Sequence, residues 1–292
     1  MISEERVSIP GVGFSTRVLR SGAGAPVLLL HGSPDSATEW RPVLEALGGA
    51  AACFAPDLPG LGASDEPPAS FDYSRAAAEE FLEGLLSALG VREPLVLVVH
   101  DIGGVLGVPW AARHRDRIRG LVITNTVVFE KFRWFFPATT WAATSAAGRL
   151  AAAALMWQIG WLNGRIFRAQ FARISPELAP ADLDRMTREF ACDRKAKRST
   201  LRLFRQMVPP AYFDGFEAMV RELIAQVPAQ VVWGRGDPYI PARYADAFPG
   251  AKRQISERGG HWIPISEAPL VAGAIRSVLE ARSGTAVPLR RA

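Results

Sequence analysis

Leu95-Val96-Leu97-Val98-Val99-His100-Asp101-Ile102-Gly103-Gly104 is the stretch whose reading decides the fold. Five apolar residues run without alternation into His-Asp, and a run that short and that uniform suits a strand covered on both faces. Two glycines follow almost at once. They describe a sharp passage from strand to helix, which lifts the residue before it above the sheet. Working outward, similar runs end in turn residues. Val27-Leu28-Leu29-Leu30 stops at His31-Gly32-Ser33-Pro34, and Ala51-Ala52-Cys53-Phe54-Ala55 stops at Pro56-Asp57-Leu58-Pro59-Gly60. Leu121–Thr124, Val231–Trp233 and a last strand near Gln254-Ile255 repeat the theme. Helical spacing of Phe81, Leu82, Leu85, Leu86 and Leu89, closed by Gly90, and a helix ending near His114 alternate with these strands. Strand–helix alternation at this rhythm means a parallel sheet with helices on both faces.

From about Thr126 to Asp214 no strand pattern appears, only helical patterns rich in Ala, Trp, Phe and Arg. The expectation is a core from 1–125 and 215–292 with a helical cap, 126–214, inserted into it. The tail after Arg282 is polar and expected to fray.

At 292 residues, 49% hydrophobic and 22% charged, the chain has too much apolar content for disorder and too much length for a disulfide scaffold. Cys53 and Cys192 stand far apart with no Cys or His at metal-ligand spacing, so no metal site, disulfide or cofactor is expected. Met1-Ile2-Ser3-Glu4-Glu5-Arg6 does not read as a secretory leader, which makes the cytoplasm the expected location. Residues 134–148 and 150–164 are apolar but interrupted by Arg149, and read as a buried Ala- and Trp-rich helical region rather than a membrane contact. The net charge of +5 concentrates in the cap. Residues 126–215 hold 14 Lys and Arg against 7 Asp and Glu, or +7, and the rest sums to −2. Arg185 to Arg205 read as the exposed face of cap helices, and no groove-reading motif suggests nucleic acid.

Reactive groups in open parallel sheets collect at the carboxyl ends of strands. Three such ends carry catalytic side-chain types: Asp101 after the strand 95–99, Asp237 after 231–233, and His261 after the strand near 254. The elbow position that often holds serine holds Asp101. A carboxylate is already ionised at neutral pH and displaces a leaving group from sp³ carbon, forming an ester of itself. Hydrolysis of that ester needs a base for water, a carboxylate to orient the base, and N–H donors for the oxyanion. His261, Asp237, and the backbone N–H groups of Ile102 and Ser33 fill these positions.

His31-Gly32-Ser33-Pro34, Asp57-Leu58-Pro59-Gly60-Leu61-Gly62-Ala63-Ser64, Val99–Gly104, Asp237 and Gly260-His261 together resemble the α/β-hydrolase superfamily, specifically its Asp-nucleophile branch of haloalkane dehalogenases and epoxide hydrolases. Leu95–Gly104, Ala111–Gly120 and Arg198–Pro209 are most similar to the haloalkane dehalogenases. Asn125, not Glu, follows the strand 121–124, so Asp237 is the expected triad acid. The resemblance implies the α/β-hydrolase fold and carbon–halogen hydrolysis of a small apolar substrate by water, in a monomer or homodimer. The alternatives are opening of an epoxide or other strained ring, and a catalytically silent ligand-binding protein. Two positions depart from the dehalogenase pattern. Ile102 stands where a halide-binding Trp is usual, and Ser33 where Asn or Glu is frequent. The paired cap tyrosines of epoxide hydrolases are also missing, with Tyr212 alone near the cap. Trp134, Trp141, Trp157, Trp161 and Tyr212 are therefore the candidate leaving-group donors. His31, Trp40 and His100 read as packing and loop-anchoring residues, and Asp57, Asp65 and Asp72 as turn and cap residues.

Overall fold

Side chains of adjacent strands sort by parity. Leu28, Leu30, Leu97 and Val99 enter one apolar cluster, and Val27, Leu29, Val96 and Val98 enter another. That two-residue period puts a core on each side of a single sheet. The structure, a computed structural model, describes residues 1–281; the polar tail expected to fray lies outside the described residues.

Eight strands form the sheet: β1 (Ile2–Ile9), β2 (Phe14–Ser21), β3 (Pro26–Leu30), β4 (Ala52–Pro56), β5 (Leu95–Asp101), β6 (Ile118–Thr126), β7 (Ala229–Gly234) and β8 (Lys252–Ser256). Their order is β1-β2-β4-β3-β5-β6-β7-β8, parallel from β4 onward, with β1 and β2 antiparallel. β1 and β2 lie outside the apolar runs that mark the other strands, because β1 at the edge is largely exposed and β2 alternates buried with half-buried residues, so both carry charges. The chain leaves β3 toward β4 and then returns to place β5 on the other side, so the crevice between the ends of β3 and β5 is the topological switch point.

Helices α1 (Arg41–Leu47), α2 (Arg75–Ala88) and α3 (Ile102–Arg113) belong to the core. The side chain of Ser74 caps α2 by accepting from Ala77 N–H. Between β6 and β7 the chain is helical: α4 (Phe136–Trp141), α5 (Ala146–Gly160), α6 (Arg165–Ile174), α7 (Pro180–Met186), α8 (Arg194–Met207) and α9 (Phe216–Ile224). α9 packs on α3. α10 (Ile263–Ser266) and α11 (Ala268–Glu280) close the fold, with α11 against α1 on the face opposite α2 and α3.

The charges of α8 are not simply solvated. Lys195 donates to the carbonyls of Gly62 and Ser64 at 2.7 and 2.6 Å, Arg198 pairs with Glu66 at 2.6 Å, and Arg202 donates to the carbonyls of Pro67, Pro68 and Phe71. Arg185 of α7 reaches Asp35, a fully buried carboxylate after β3, at 2.5 Å. The expected burial of the Ala- and Trp-rich region is half wrong. α5 buries Ala152 and Met156 but leaves Leu150 and Trp157 exposed, because a single helix laid over a cavity covers only one face. Among the described residues no helix is long and apolar enough to cross a membrane.

Candidate active site

Asp101 closes β5 with φ 45° and ψ −121°, a conformation that L residues seldom adopt and that functional elbows often hold. Close packing enforces it. A Cβ on Gly103 would meet Leu30 O at 2.2 Å, and one on Gly104 would meet Thr126 Oγ1 at 2.1 Å, so only glycines let α3 settle this near β3 and β6. The Thr126 hydroxyl donates to Asp101 O at 2.5 Å. Ser33 N–H donates to Asp101 Oδ2 at 2.9 Å, which fixes one carboxylate oxygen; among the described residues Oδ1 has no donor. Ile102 N–H opens α3, where first-turn N–H groups lack intrahelical acceptors.

His261 Nδ1–H donates to Asp237 Oδ2 at 2.8 Å, committing that nitrogen and leaving Nε2 for chemistry. Asp237 is saturated with donors. Its Oδ1 accepts from Tyr239 N–H and Ile240 N–H at 2.7 and 2.8 Å, and its Oδ2 also accepts from Asn125 Nδ2 at 2.6 Å. Burial opposes ionisation of Asp237, but His261, Asn125 and Ile240 outweigh it and hold the carboxyl below its ordinary range. Asn125 Oδ1 accepts from Gly234 N–H at 3.0 Å, so one amide ties the ends of β6 and β7 together beneath the acid.

Under the elbow, His100 Nδ1–H meets Glu39 at 3.0 Å and Nε2–H donates to His261 O at 3.0 Å. Burial lowers the His100 pKa, yet Glu39 more than offsets this and raises it to about 9, so the ring is an imidazolium sealed in the core. His31 is the opposite case. It is fully buried and held neutral, with Nδ1–H to Gly32 O at 2.7 Å and Nε2 accepting Leu58 N–H at 2.8 Å. Both anchor loops, as read from the sequence. Asp57 likewise accepts from Ala37 N–H, Ala63 N–H and Arg17, and Asp72 accepts from Ser74 N–H.

Asp101, Ser33 and His261 line one cavity of about 450 Å³ roofed by α4, α5, α6 and α8. Its walls are mostly apolar, including Phe132, Phe135, Leu155, Ile159, Phe171 and Trp262. A larger cleft of about 980 Å³ lies at the opposite, amino-terminal ends of the central strands, around Pro26, Pro94 and Pro228, and Asp101, Asp237 and His261 are not among its lining residues. Position at the switch point, not size, identifies the chemical site.

Of the indoles, Trp134 and Trp141 line the cavity. Trp141 Nε1 is buried and has no acceptor among the described residues. Trp157 and Trp161 do not line it. They are 65% and 51% exposed and stack on each other at 5.4 Å on the outer side of α5, because Leu155 and Ile159 occupy the inner side. Tyr212 is also displaced. It is buried between α8 and α9 with its hydroxyl donating to Tyr73 O at 3.4 Å, packed on Phe213 and Phe216. Tyr239 takes the place sequence reasoning gave to a cap tyrosine. It lines the cavity, its ring lies 5.1 Å from that of His261, and its hydroxyl has no hydrogen-bond partner among the described residues. Burial, then Asp237, Glu177 and Asp101, push the phenol up, so it carries its proton at neutral pH. The signal was present: an Asp two residues before a Tyr captures that Tyr's N–H in an Asx turn and so fixes where the ring starts. Glu177, also missed, lies over Gly260, where a Cβ would fall 2.1 Å from its Oε1. Burial shifts that carboxyl upward.

A strained carboxylate at a strand end, an oriented histidine and a cavity at the switch point define an α/β-hydrolase site. The chain belongs to the α/β-hydrolase fold family, whose model matches residues 25–268, and it is an enzyme of that fold. A haloalkane dehalogenase of Sphingobium indicum is 31% identical over 245 residues, covering 79% of this chain and 75% of that one. A cis-3-alkyl-4-alkyloxetan-2-one decarboxylase of Xanthomonas campestris pv. campestris is 28% identical over 291 residues, 93% of each chain. Among solved structures, the epoxide hydrolase CorEH superposes with a TM-score of 0.72 at 20% identity, over 96% of this chain and 99% of its own, a likeness of fold.

Proposed function

We propose that Asp101 opens a strained oxygen ring in an apolar substrate through a covalent ester. The observation that carries the reading is the Asp101 carboxylate, held by Ser33 N–H at 2.9 Å and facing the cavity it shares with His261. Oδ1 attacks a ring carbon and the ring C–O bond breaks; from an epoxide the departing alkoxide takes the phenolic proton of Tyr239, whereas a lactone oxygen departs as a carboxylate and needs no proton. A phenol whose pKa is raised by burial still protonates an alkoxide, which is far more basic. Water then adds to the Asp101 carboxyl carbon, giving one proton to His261. The adduct collapses with cleavage of its bond to the substrate oxygen, which leaves with that proton from His261. The freed Asp101 acid ionises, its proton restoring the Tyr239 phenol where an epoxide was opened. Ser33 N–H and Ile102 N–H receive the oxyanion, and Asp237 stabilises the imidazolium.

Two features favour a ring oxygen over a halide. The side chain after the nucleophile is Ile102, fully buried and without a donor, whereas the Tyr239 hydroxyl is free in the cavity. The relative that matches 93% of each chain is named for a four-membered lactone. Trp134 supports a second reading, halide displacement, since its ring lines the cavity and its N–H has no partner among the described residues.

His261→Gln, incubated with brominated alkanes, epoxides and 3,4-dialkyl oxetan-2-ones, is expected to trap the ester on Asp101, read by intact mass and peptide mapping. Ring opening of an epoxide or an oxetan-2-one adds the whole substrate. Halide displacement adds only the alkyl group. Turnover by the wild type with no adduct in the variant would sink the covalent mechanism. Tyr239→Phe is expected to slow ester formation about a hundredfold with epoxides and leave it unchanged with bromides.

A further inference from the structure

Six large apolar side chains stand exposed among the described residues, and apart from Met1 all fall between positions 150 and 174: Leu150, Trp157, Trp161, Leu162 and Ile174. Leu150, Ala154 and Trp157 recur at i, i+4 and i+7, so α5 presents them as one outward stripe, and Trp161, just past its end, stacks on Trp157 at 5.4 Å. Charge in the same segment has one sign. Between 131 and 176 the sequence carries Lys131, Arg133, Arg149, Arg165, Arg168 and Arg173 and no Asp or Glu. Arg168 pairs with Asp184, but Arg149, Arg165 and Arg173 form no ion pair among the described residues. Arg149 shares the i, i+4, i+8 row with Ala153 and Trp157, Arg165 starts α6 four residues after Trp161, and Arg173 adjoins Ile174. Indoles beside unpaired guanidinium groups, with no acid among them, are what the headgroup region of an anionic bilayer accepts.

The inner side of the same two helices walls the cavity through Leu155, Ile159 and Phe171. Ile174 both lines the cavity and is 43% exposed, so apolar surface runs from the outer stripe to the cavity.

We infer that the outer face of α5 and α6 docks on anionic lipid bilayers, with Trp157 and Trp161 at headgroup depth and the arginines on lipid phosphates. This is attachment to one leaflet, since neither helix is long enough to span. The docking does not depend on which bond Asp101 breaks. Its use rests on the apolar-substrate reading above: a cavity mouth held against lipid receives an apolar molecule without passage through water.

Cosedimentation with vesicles tests it. Binding to phosphatidylcholine containing about 30% phosphatidylglycerol is expected to exceed binding to pure phosphatidylcholine at least about tenfold, and to weaken severalfold between about 50 and about 500 mM NaCl. At about fivefold per arginine, Arg165→Gln with Arg173→Gln is expected to lose roughly 25-fold. Trp157→Ser with Trp161→Ser is expected to lose vesicle binding while keeping the wild-type melting temperature and its turnover of water-dispersed substrate. Wild-type protein left in the supernatant with anionic vesicles overturns the inference, as does unchanged binding by the tryptophan variant. A wild-type dimer that the same variant converts to monomer in analytical ultracentrifugation also overturns it, assigning the stripe to a second copy.

Discussion

Asn125→Asp changes one amide nitrogen to oxygen and tests the acid's surroundings without a substrate. The new carboxyl would stand where Nδ2 now lies, 2.6 Å from Asp237 Oδ2. At an effective dielectric of about 20, two full charges at that distance repel by about 6 kcal/mol, equivalent to about four pKa units. The pair therefore keeps one proton shared between its carboxyls, with the apparent pKa raised from about 4 to about 8. A raised carboxyl pKa means that the native state holds a proton the unfolded chain has released. Unfolding free energy relative to wild type then falls as pH rises above about 4, by about 1.4 kcal/mol per unit until about pH 8. The deficit is expected to be about 1 kcal/mol at about pH 4.5 and about 5 kcal/mol at about pH 7.5. Urea unfolding of both proteins across that range measures it, and subtraction removes every group they share. A difference that stays flat with pH would refute the geometry, since it would mean that position 125 does not face an ionised Asp237.

Gly103→Ala would drive a Cβ to within 2.2 Å of the Leu30 carbonyl, and is expected to cost about 3 kcal/mol or more and to displace the elbow; a melting temperature within a degree or so of wild type would contradict it. Glu39→Gln removes the partner that raises His100 from 6.5 to about 9. Because that pKa is raised, the stabilisation is complete below about pH 6.5 and fades as pH passes about 9, so a loss of about 3 kcal/mol at about pH 6 should shrink at about pH 9.5 in denaturation curves. Arg185→Met leaves buried Asp35 without a counter-charge, with an expected loss of about 3–5 kcal/mol and faster proteolysis between α6 and α8; a loss below about 1 kcal/mol would show that the pair does not tie the cap to the core.

What could be read in advance follows from what each element requires. β3, β5 and β6 are buried on both faces and carry unbroken apolar runs (residues 27–30, 95–99 and 121–123), which leaves an unmistakable trace. β1 and β2 form an edge, where charges such as Glu4, Glu5 and Arg17 are tolerated and the trace dissolves. Asp101, Asp237 and His261 could be singled out because strand ends can be located and few residue types are reactive there, and the structure brings them to one end of the sheet. The donors for the leaving group were not legible in the same way. Whether an indole faces inward depends on the rotation of a helix about its axis, and Trp157 and Trp161 came out on the far side. The role of Asn125 escaped because it depends on Gly234 and Asp237, more than a hundred residues away. The basic character of α8 was visible, but its targets, backbone carbonyls of the loop after β4, leave no mark in composition.

Those contacts divide the cap in two. α7 and α8 are fastened to the core by Arg185, Lys195, Arg198 and Arg202. Among the described residues the side chains of α5 and α6 make no hydrogen bond to the core and touch it through ring packing such as Phe171 on Trp262, at 5.4 Å. Heritable change is therefore unequally tolerated across the roof. Substitutions in α5 and α6 reshape the chamber without disturbing the fastenings or the elbow, so this pair is the part of the molecule where a lineage, or a mutant library, can explore new substrates at least risk to the framework.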